Sequence, residues 1–291
     1  MHKKNMNCDD QCISDVKNVA KCFDLLAHAH DLFLMNEPPS LVDNEIWEMI
    51  TALLSYSNDK PILDIGTGNG IWSIRIAKLG YKVVAIDVST AMLRIAQKNI
   101  DEAELSDRIT LIHSDAHDLS FLEPCSFALV LAIGDLLNYS REPFRILEEI
   151  KRVCSPGGRI LASVISKNGV LKRVLSDKDF VGAKRLIQTG TWEERSKSDI
   201  SKKLSDPSKE AAALIVKTYM VDEISKLFKD LGIMVNKVFP LGIVSTLLNH
   251  QEFIEVLTES GSDVLIGMER MLMQDKFFLG SAMEIGIIGE I

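Results

Sequence analysis

Gly66, Gly68 and Gly70 stand at alternate positions just after an acidic residue, Asp64, with Thr67 and Asn69 between them. Glycine lacks a Cβ and tolerates positive φ, so such a turn lets a ligand come close to the backbone. Further acidic residues recur downstream. Asp87 lies about twenty residues past the first glycine, where a nucleotide-type βαβ unit places the carboxylate that accepts from ribose hydroxyls. Its other reading is a helix-start role, because Ser89 and Thr90 open the next helical stretch. Asp115 and Asp135 follow, and Asp135 and Tyr139 could act as a base on a hydroxyl or thiol.

The elements that must position these residues are legible around them. Ile62–Ile65 is a short apolar run with β-branched residues, the pattern of a buried parallel strand. Ile71–Leu79 repeats apolar residues at helical spacing and Gly80 stops it. The order is strand, glycine turn, helix, which places a ligand against the free N–H groups of the helix start. Lys82–Asp87 is a second strand, followed by a helix through Met92, Leu93, Ile95 and Ala96. Ile109–His113 is a third and Phe127–Ile133 a fourth. Phe144–Val153 is an amphipathic helix ended by a turn at Cys154–Gly158, where Pro cannot continue the helix and Gly permits reversal. Arg159–Ile165 is a fifth strand.

A dinucleotide fingerprint needs G-x-G-x-x-G, and Ile71 occupies the place of its third glycine. The stretch Ile62–Gly70 instead resembles motif I of the class I S-adenosylmethionine (SAM) dependent methyltransferases. Asp87-Val88-Ser89-Thr90-Ala91-Met92-Leu93 resembles their motif II, and the Asp115-Ala116 pair after the third strand resembles motif III. The Ser155-Pro156-Gly157-Gly158 turn resembles their post-helix turn. The resemblance covers 61–166 and implies a cofactor, SAM, held by Asp64, Gly66, Thr67, Gly68, Gly70, Asp87, Val88, Met92, Asp115, Ala116, Ala132 and Ile133. In that family the Met packs on the adenine ring, the motif III acid accepts from the adenine amino group, and N-terminal helices fold over the cofactor. The fourth strand ends in Ala132-Ile133-Gly134-Asp135, not the Asn-Pro-Pro-Tyr or Asp-Pro-Pro-Tyr of base- and amide-methylating enzymes. This points to the small-molecule branch.

The implied fold is α/β, a Rossmann-like three-layer sandwich with a seven-stranded, mostly parallel sheet in one domain over 1–291. Residues 1–60 form an N-terminal helical cover, with Leu41–Leu54 its clearer helix. Residues 61–166 are the SAM-binding core, 167–220 an inserted cap, and 221–291 the C-terminal part of the core. There Val221–Leu231 reads as a helix, Ile233–Phe239 as a strand, 250–274 as two helices and Ile285–Ile288 as the last strand.

The chain has 291 residues, 46% hydrophobic and 25% charged, an ordinary globular composition. Its net charge of −8 weighs against a nucleic-acid partner, since backbone binders carry a basic surplus. No signal peptide or membrane span is visible. Five cysteines, an odd number, suit a reducing cytosol. Cys8, Cys12 and Cys22, with His28 and His30, lack the tight C-x-x-C pairs of zinc sites, and no metal is expected. The cap holds 12 Lys and Arg against 7 Asp and Glu. Basic residues over a cleft concentrate anions, so the acceptor could be acidic, held by Lys172, Arg173, Lys184, Arg185 or Arg195; the other reading is a solvated helical insertion. His28 or His30 could be brought to the site by the cover, His113 reads as a packed histidine and His117 has no evident task. The expected reaction is methyl transfer to a small molecule. An RNA or protein methyltransferase and a non-catalytic SAM-binding regulator are the alternatives.

Overall fold

The computed structural model describes residues 13–36, 41–57, 59–194, 214–248 and 250–291. Two helices come first, α1 (Val16–Asn36) and α2 (Leu41–Leu54). The core follows as β1 (Ile62–Ile65), α3 (Ile71–Lys78), β2 (Val83–Asp87), α4 (Thr90–Glu102), β3 (Ile109–His113), β4 (Phe127–Ala132), α5 (Pro143–Val153) and β5 (Cys154–Ile165). The insertion is α6 (Lys167–Ser176), α7 (Phe180–Thr189), β6 (Thr191–Glu194) and β7 (Leu214–Lys217). The chain then runs through α8 (Val221–Asp230), β8 (Met234–Leu241), α9 (Val244–Leu247), α10 (His250–Ser260), α11 (Ser262–Met273), a 3-10 turn at Lys276–Gly280, and β9 (Glu284–Glu290).

Among the described residues the main sheet has seven strands in the order β3-β2-β1-β4-β5-β9-β8. The pairings from β3 to β5 are parallel, and β9 runs antiparallel between β5 and β8. The strand order reverses between β1 and β4, and the crevice beyond their carboxyl ends is where open α/β sheets bind ligands. Side chains alternate across the strands. Leu63, Ile65 and Val130 face a core closed by Ile146, Ile150 and Phe228 of α5 and α8. Ile62, Leu129 and Leu131 face the other, closed by Ile50 of α2, Ile76 of α3 and Ile100 of α4. These are the three layers that the sequence predicts.

Three details differ from the sequence reading. The fifth strand starts at Cys154 rather than Arg159, because the Pro-Gly-Gly turn is a bulge inside it: Phe127 pairs with Cys154, and pairing resumes at Leu129 with Arg159. The strand expected over 233–239 extends to Leu241, since β9 supplies partners as far as Glu284. The insertion is not purely helical: β6 and β7 pair antiparallel as a separate two-stranded sheet.

The cover and the cap share a hydrophobic core. Val19, Cys22 and Leu26 of α1 pack with Val170, Leu186, Trp192 and Val216 of the insertion. Ser14 N–H donates to the Ile215 carbonyl at 3.0 Å, and Ile215 N–H to Ser14 Oγ at 3.1 Å. Asn138 ties this unit to the sheet. Its Nδ2 donates to the Lys217 carbonyl at 2.6 Å, and its Oδ1 accepts from Ile165 N–H at 3.1 Å. No helix among the described residues is long and apolar enough to cross a membrane.

Candidate functional site

The glycine turn leaves β1 with Gly66, Gly68 and Gly70 at φ of +77°, +55° and +83°. Gly66 and Thr67 N–H groups both donate to the Ile86 carbonyl, which pins the turn to β2. The second and third of these glycines do different work. A Cβ on Gly68 would meet nothing within 4 Å, because Gly68 faces the cavity. One on Gly70 would lie 3.3 Å from the Ala96 Cβ, so Gly70 is small to let α4 pack close. Asp64 supports the turn from behind. It is buried, and its Oδ2 accepts from the Thr67 and Ser73 hydroxyls at 2.7 and 2.6 Å. Burial raises the Asp64 carboxyl above its usual range and those hydroxyls work against the rise.

A cavity of about 280 Å³ opens beyond β1, β2, β3 and β4. Gly66, Thr67, Gly68, Asp87, Val88, Met92, Asp115, Ala116 and Ile133 all line it. Asp64, Gly70, Ala132 and Asp135, also expected at the ligand, stand behind this lining. Asp64 and Gly70 shape the turn, Ala132 is wholly buried within β4, and Asp135 has a positive φ of +69°. The Asp135 carbonyl accepts from Asn138 and Tyr139 N–H, so this residue starts the following turn.

Asp87 is held by main-chain donors. Its Oδ2 accepts from Gly68 N–H and its Oδ1 from Ser89 N–H, both at 2.8 Å. Burial raises its carboxyl, and these donors counter that. Each oxygen retains acceptor capacity toward the cavity. Ser89 caps α4, accepting from Met92 N–H at 3.1 Å, while its hydroxyl donates to Asp24 of α1 at 2.6 Å. Asp24 also accepts from Ala91 N–H at 2.9 Å, so the cover is bolted to the motif II helix.

His117 has a task that the sequence does not disclose. Its N–H and Nδ1 both bond to Asp115 Oδ1, at 3.0 and 2.6 Å, and its Nε2 bonds to the Ser140 hydroxyl at 2.7 Å. All three side chains line the cavity. Burial pushes the Asp115 carboxyl up, but the hydrogen bonds and charge of His117 prevail and hold it below its usual range. The spacing Asp-x-His in a loop is the signal that could have found this bridge.

Tyr139 lines the cavity with its ring, edge-on to Phe23 of α1 at 5.4 Å. Its hydroxyl donates to Glu194 of β6 at 2.8 Å. Burial first, and the Glu194 charge second, push this phenol well above its ordinary range. It therefore stays protonated near neutral pH, whereas the expected role as a base would use its anion. His113 is exposed at the end of β3, bonded to the Val88 carbonyl at 3.0 Å. The side chains of His28 and His30, and the whole of Cys8, Cys12 and Arg195, lie outside the described residues.

The remaining wall is apolar: Val16, Val19 and Phe23 of α1, Val42 and Ile46 of α2, and Leu136. Asp43 and Glu284 are the charged groups set in it. Lys172, Arg173, Lys184 and Arg185 are not part of the wall. Lys172 and Lys184 are exposed, Arg173 sits 3.9 Å from Asp177 and over the Trp192 ring, and Arg185 pairs with Glu193 at 2.8 Å.

The family described as "Methyltransferase domain" matches residues 62–158. The chain is 32% identical over 145 residues to a demethylmenaquinone methyltransferase from Clavibacter sepedonicus, covering 49% of this chain and 56% of that protein. It is 29% identical over 151 residues to a ubiquinone/menaquinone biosynthesis C-methyltransferase from Acidiphilium cryptum, covering 51% and 59%. A ubiquinone biosynthesis O-methyltransferase from Cupriavidus pinatubonensis is 33% identical over 129 residues, covering 44% and 49%. The chain thus spans between about half and three fifths of the length of these relatives. Among solved structures, the [4+2]-cyclase SpnF matches with a TM-score of 0.60 at 14% identity, covering 94% of both chains. A SAM-dependent methyltransferase from Methanosarcina mazei matches at 0.56 and 18% identity, covering 82% and 96%. These two likenesses bear on the fold, and a cyclase among them is a reminder that fold alone does not give activity. Residues 62–158 match the methyltransferase domain family, and they carry the glycine turn and the strands β1 to β4 of this sheet.

Proposed function

We propose that the protein transfers a methyl group from SAM to a small-molecule acceptor with an apolar, aromatic ring. The observation that carries this reading is the division of one cavity into two halves. One half is built from the turn and the carboxyl ends of β1 to β3, with Asp87 and Asp115 as acceptors and Gly68 open to the ligand. The other is walled by Val16, Val19, Phe23, Val42 and Ile46. The residues present fit SAM: Asp87 faces the place for ribose hydroxyls, Met92 and Ala116 offer a flat apolar flank for adenine, and Gly134 leaves open space at the end of β4.

When bound, SAM supplies a methyl group made electrophilic by a positively charged sulfur. The chain's part is to bind, align and exclude water. Such positioning supplies roughly 7–11 kcal/mol of a barrier. Asp87 and the His117-anchored Asp115 fix the cofactor. Phe23 and Tyr139, locked edge to face, form a wall for the acceptor. The cover closes the cavity through Asp24, and the cap holds the cover.

We favour an apolar acceptor over the acidic one expected from charge, since Lys172, Arg173, Lys184 and Arg185 are not part of the wall. The names of the relatives, which act in quinone biosynthesis, support the same class. A single methyltransferase unit in a reducing compartment, as the odd number of cysteines suggests, completes the reading. Calorimetry with SAM, S-adenosylhomocysteine and NAD, followed by labelled-methyl transfer over a panel of acceptors, tests it. Binding of NAD without SAM would overturn the cofactor assignment. Methylation confined to RNA or protein would overturn the acceptor class.

A further inference from the structure

Glu284 begins β9, the last strand, and sits far from every motif in the sequence. In the sheet it pairs with Ile165 of β5 and Leu241 of β8, and its side chain lines the cavity. Three observations converge on it. First, it bonds to the Ser163 hydroxyl of β5. Ser163 Oγ in turn accepts from Gly134 N–H at 3.1 Å, so its own proton points to Glu284. The carboxyl is thereby set one hydroxyl away from the end of β4, where the cofactor and acceptor halves of the cavity meet. Second, the other acids on the cofactor side are engaged: Asp87 by two main-chain donors and Asp115 by His117. Third, the surface around the acceptor place is apolar, so a proton acceptor set in it meets little competition from water.

We propose that Glu284 is a catalytic base that takes the proton from a hydroxyl on the aromatic acceptor ring. This rests on the acceptor class proposed above. The O–H bond of the acceptor breaks and its proton passes to a Glu284 carboxylate oxygen. The electron pair left on the acceptor oxygen, or delocalised to the adjacent ring carbon, forms the bond to the methyl group. The methyl's former bond to sulfur breaks with its pair remaining on sulfur. One cation and one carboxylate become a neutral thioether and a neutral carboxyl, so charge balances.

The environment of Glu284 suits the task. Burial, opposed by the Ser163 hydroxyl and reinforced by the Asp43 carboxylate of α2, pushes its carboxyl up to about 7. Among the described residues, Asp43 is the charged group that acts on it; β8 presents Leu241 beside it, and β5 presents Ser163. Asp43 itself interacts with Arg75 of α3. A base whose pKa lies near the working pH combines availability with proton affinity.

Two measurements test the assignment. In ligand-free protein carrying 13C-carboxyl-labelled glutamate, the signal lost in Glu284→Gln should titrate near pH 7 and move toward the ordinary carboxylate range in Asp43→Asn. A midpoint in the ordinary range overturns the proposal whatever the acceptor proves to be. With SAM and catechol or hydroquinone as probes, Glu284→Gln should lower kcat roughly a hundredfold, remove the fall in rate below about pH 7, and leave KM and SAM affinity nearly unchanged. Glu284→Asp should keep the pH limb at a reduced rate. An unchanged kcat, or a rise in KM alone, overturns the base role. If SAM binds but neither probe is methylated, the aromatic-acceptor reading fails, and the titration alone then decides whether Glu284 is poised as a base.

Discussion

Asp87 serves the fold with the same two oxygens that the proposed function gives to the ligand. Both accept from the main chain, at Gly68 and Ser89, and the residue lines the cavity. Asp87→Asn removes the charge and one acceptor with little change in shape. Hydrogen bonds to a charged group are worth about 1.5–3 kcal/mol, so SAM should bind roughly ten- to a hundredfold more weakly. Calorimetry decides the point: an equal dissociation constant in the variant removes the ribose role. Glu45 of α2 is a residue-scale feature of another kind. It is 2% exposed, its Oε1 has no hydrogen-bond partner, and Arg270 Nε approaches only to 3.9 Å. Burial, reinforced by Glu48, raises its carboxyl to about 7. The folded state then holds its proton over a range where the unfolded chain has released it. Stability should therefore fall as pH rises from about 4.5 to about 7. Glu45→Gln should flatten that fall and raise Tm at pH 7 and above. Scanning calorimetry with an equally steep pH dependence in the variant would exclude Glu45 as its source.

At the scale of elements, two of the three glycines in the turn between β1 and α3 have different neighbours. Gly68→Ala and Gly70→Ala both force an L residue to positive φ, a strain of about 1–3 kcal/mol. Only at Gly70 does the new methyl also press on a helix, at Ala96. Gly70→Ala should lose more thermal stability, and Gly68→Ala more SAM affinity relative to its stability loss. Equal losses in both quantities would mean that the two positions do one job. Gly169 plays a similar part for the cap, since a Cβ there would lie 2.5 Å from the Ala282 carbonyl oxygen and lift α6 from its seat.

For the whole molecule, the walls of the cavity depend on joints between distant segments. Asn138 is the central one, wholly buried and bonded to both β5 and β7. Asn138→Ala would leave the Ile165 N–H and the Lys217 carbonyl without these partners, at about 1–3 kcal/mol each. Amides of β7 and the start of α6 should then exchange faster with solvent, while those of β1 and β2 keep their protection. Uniform acceleration across the sheet would show that cap and core open as one unit.

What the amino-acid sequence determined by itself was local. Ile62–Ile65, Lys82–Asp87 and Phe127–Ile133 read as strands because apolar runs of that length fit only a position covered on both faces. The glycine turn read as a binding turn because its conformations are closed to side chains. Asp87, Met92, Asp115 and Ala116 reach the cavity because each stands at a strand end or helix start whose direction the element fixes. What only the tertiary structure decided were contacts between residues far apart in the chain. Glu284 entered the wall because β9 inserts between β5 and β8, a pairing that no local pattern around 284–290 specifies. His117 found its role because Ser140 arrives from another loop. Lys172, Arg173, Lys184 and Arg185 lie off the wall because α6 and α7 turn Val170, Val174 and Leu186 inward, and burying those apolar groups outweighs any pull of charge toward the cleft.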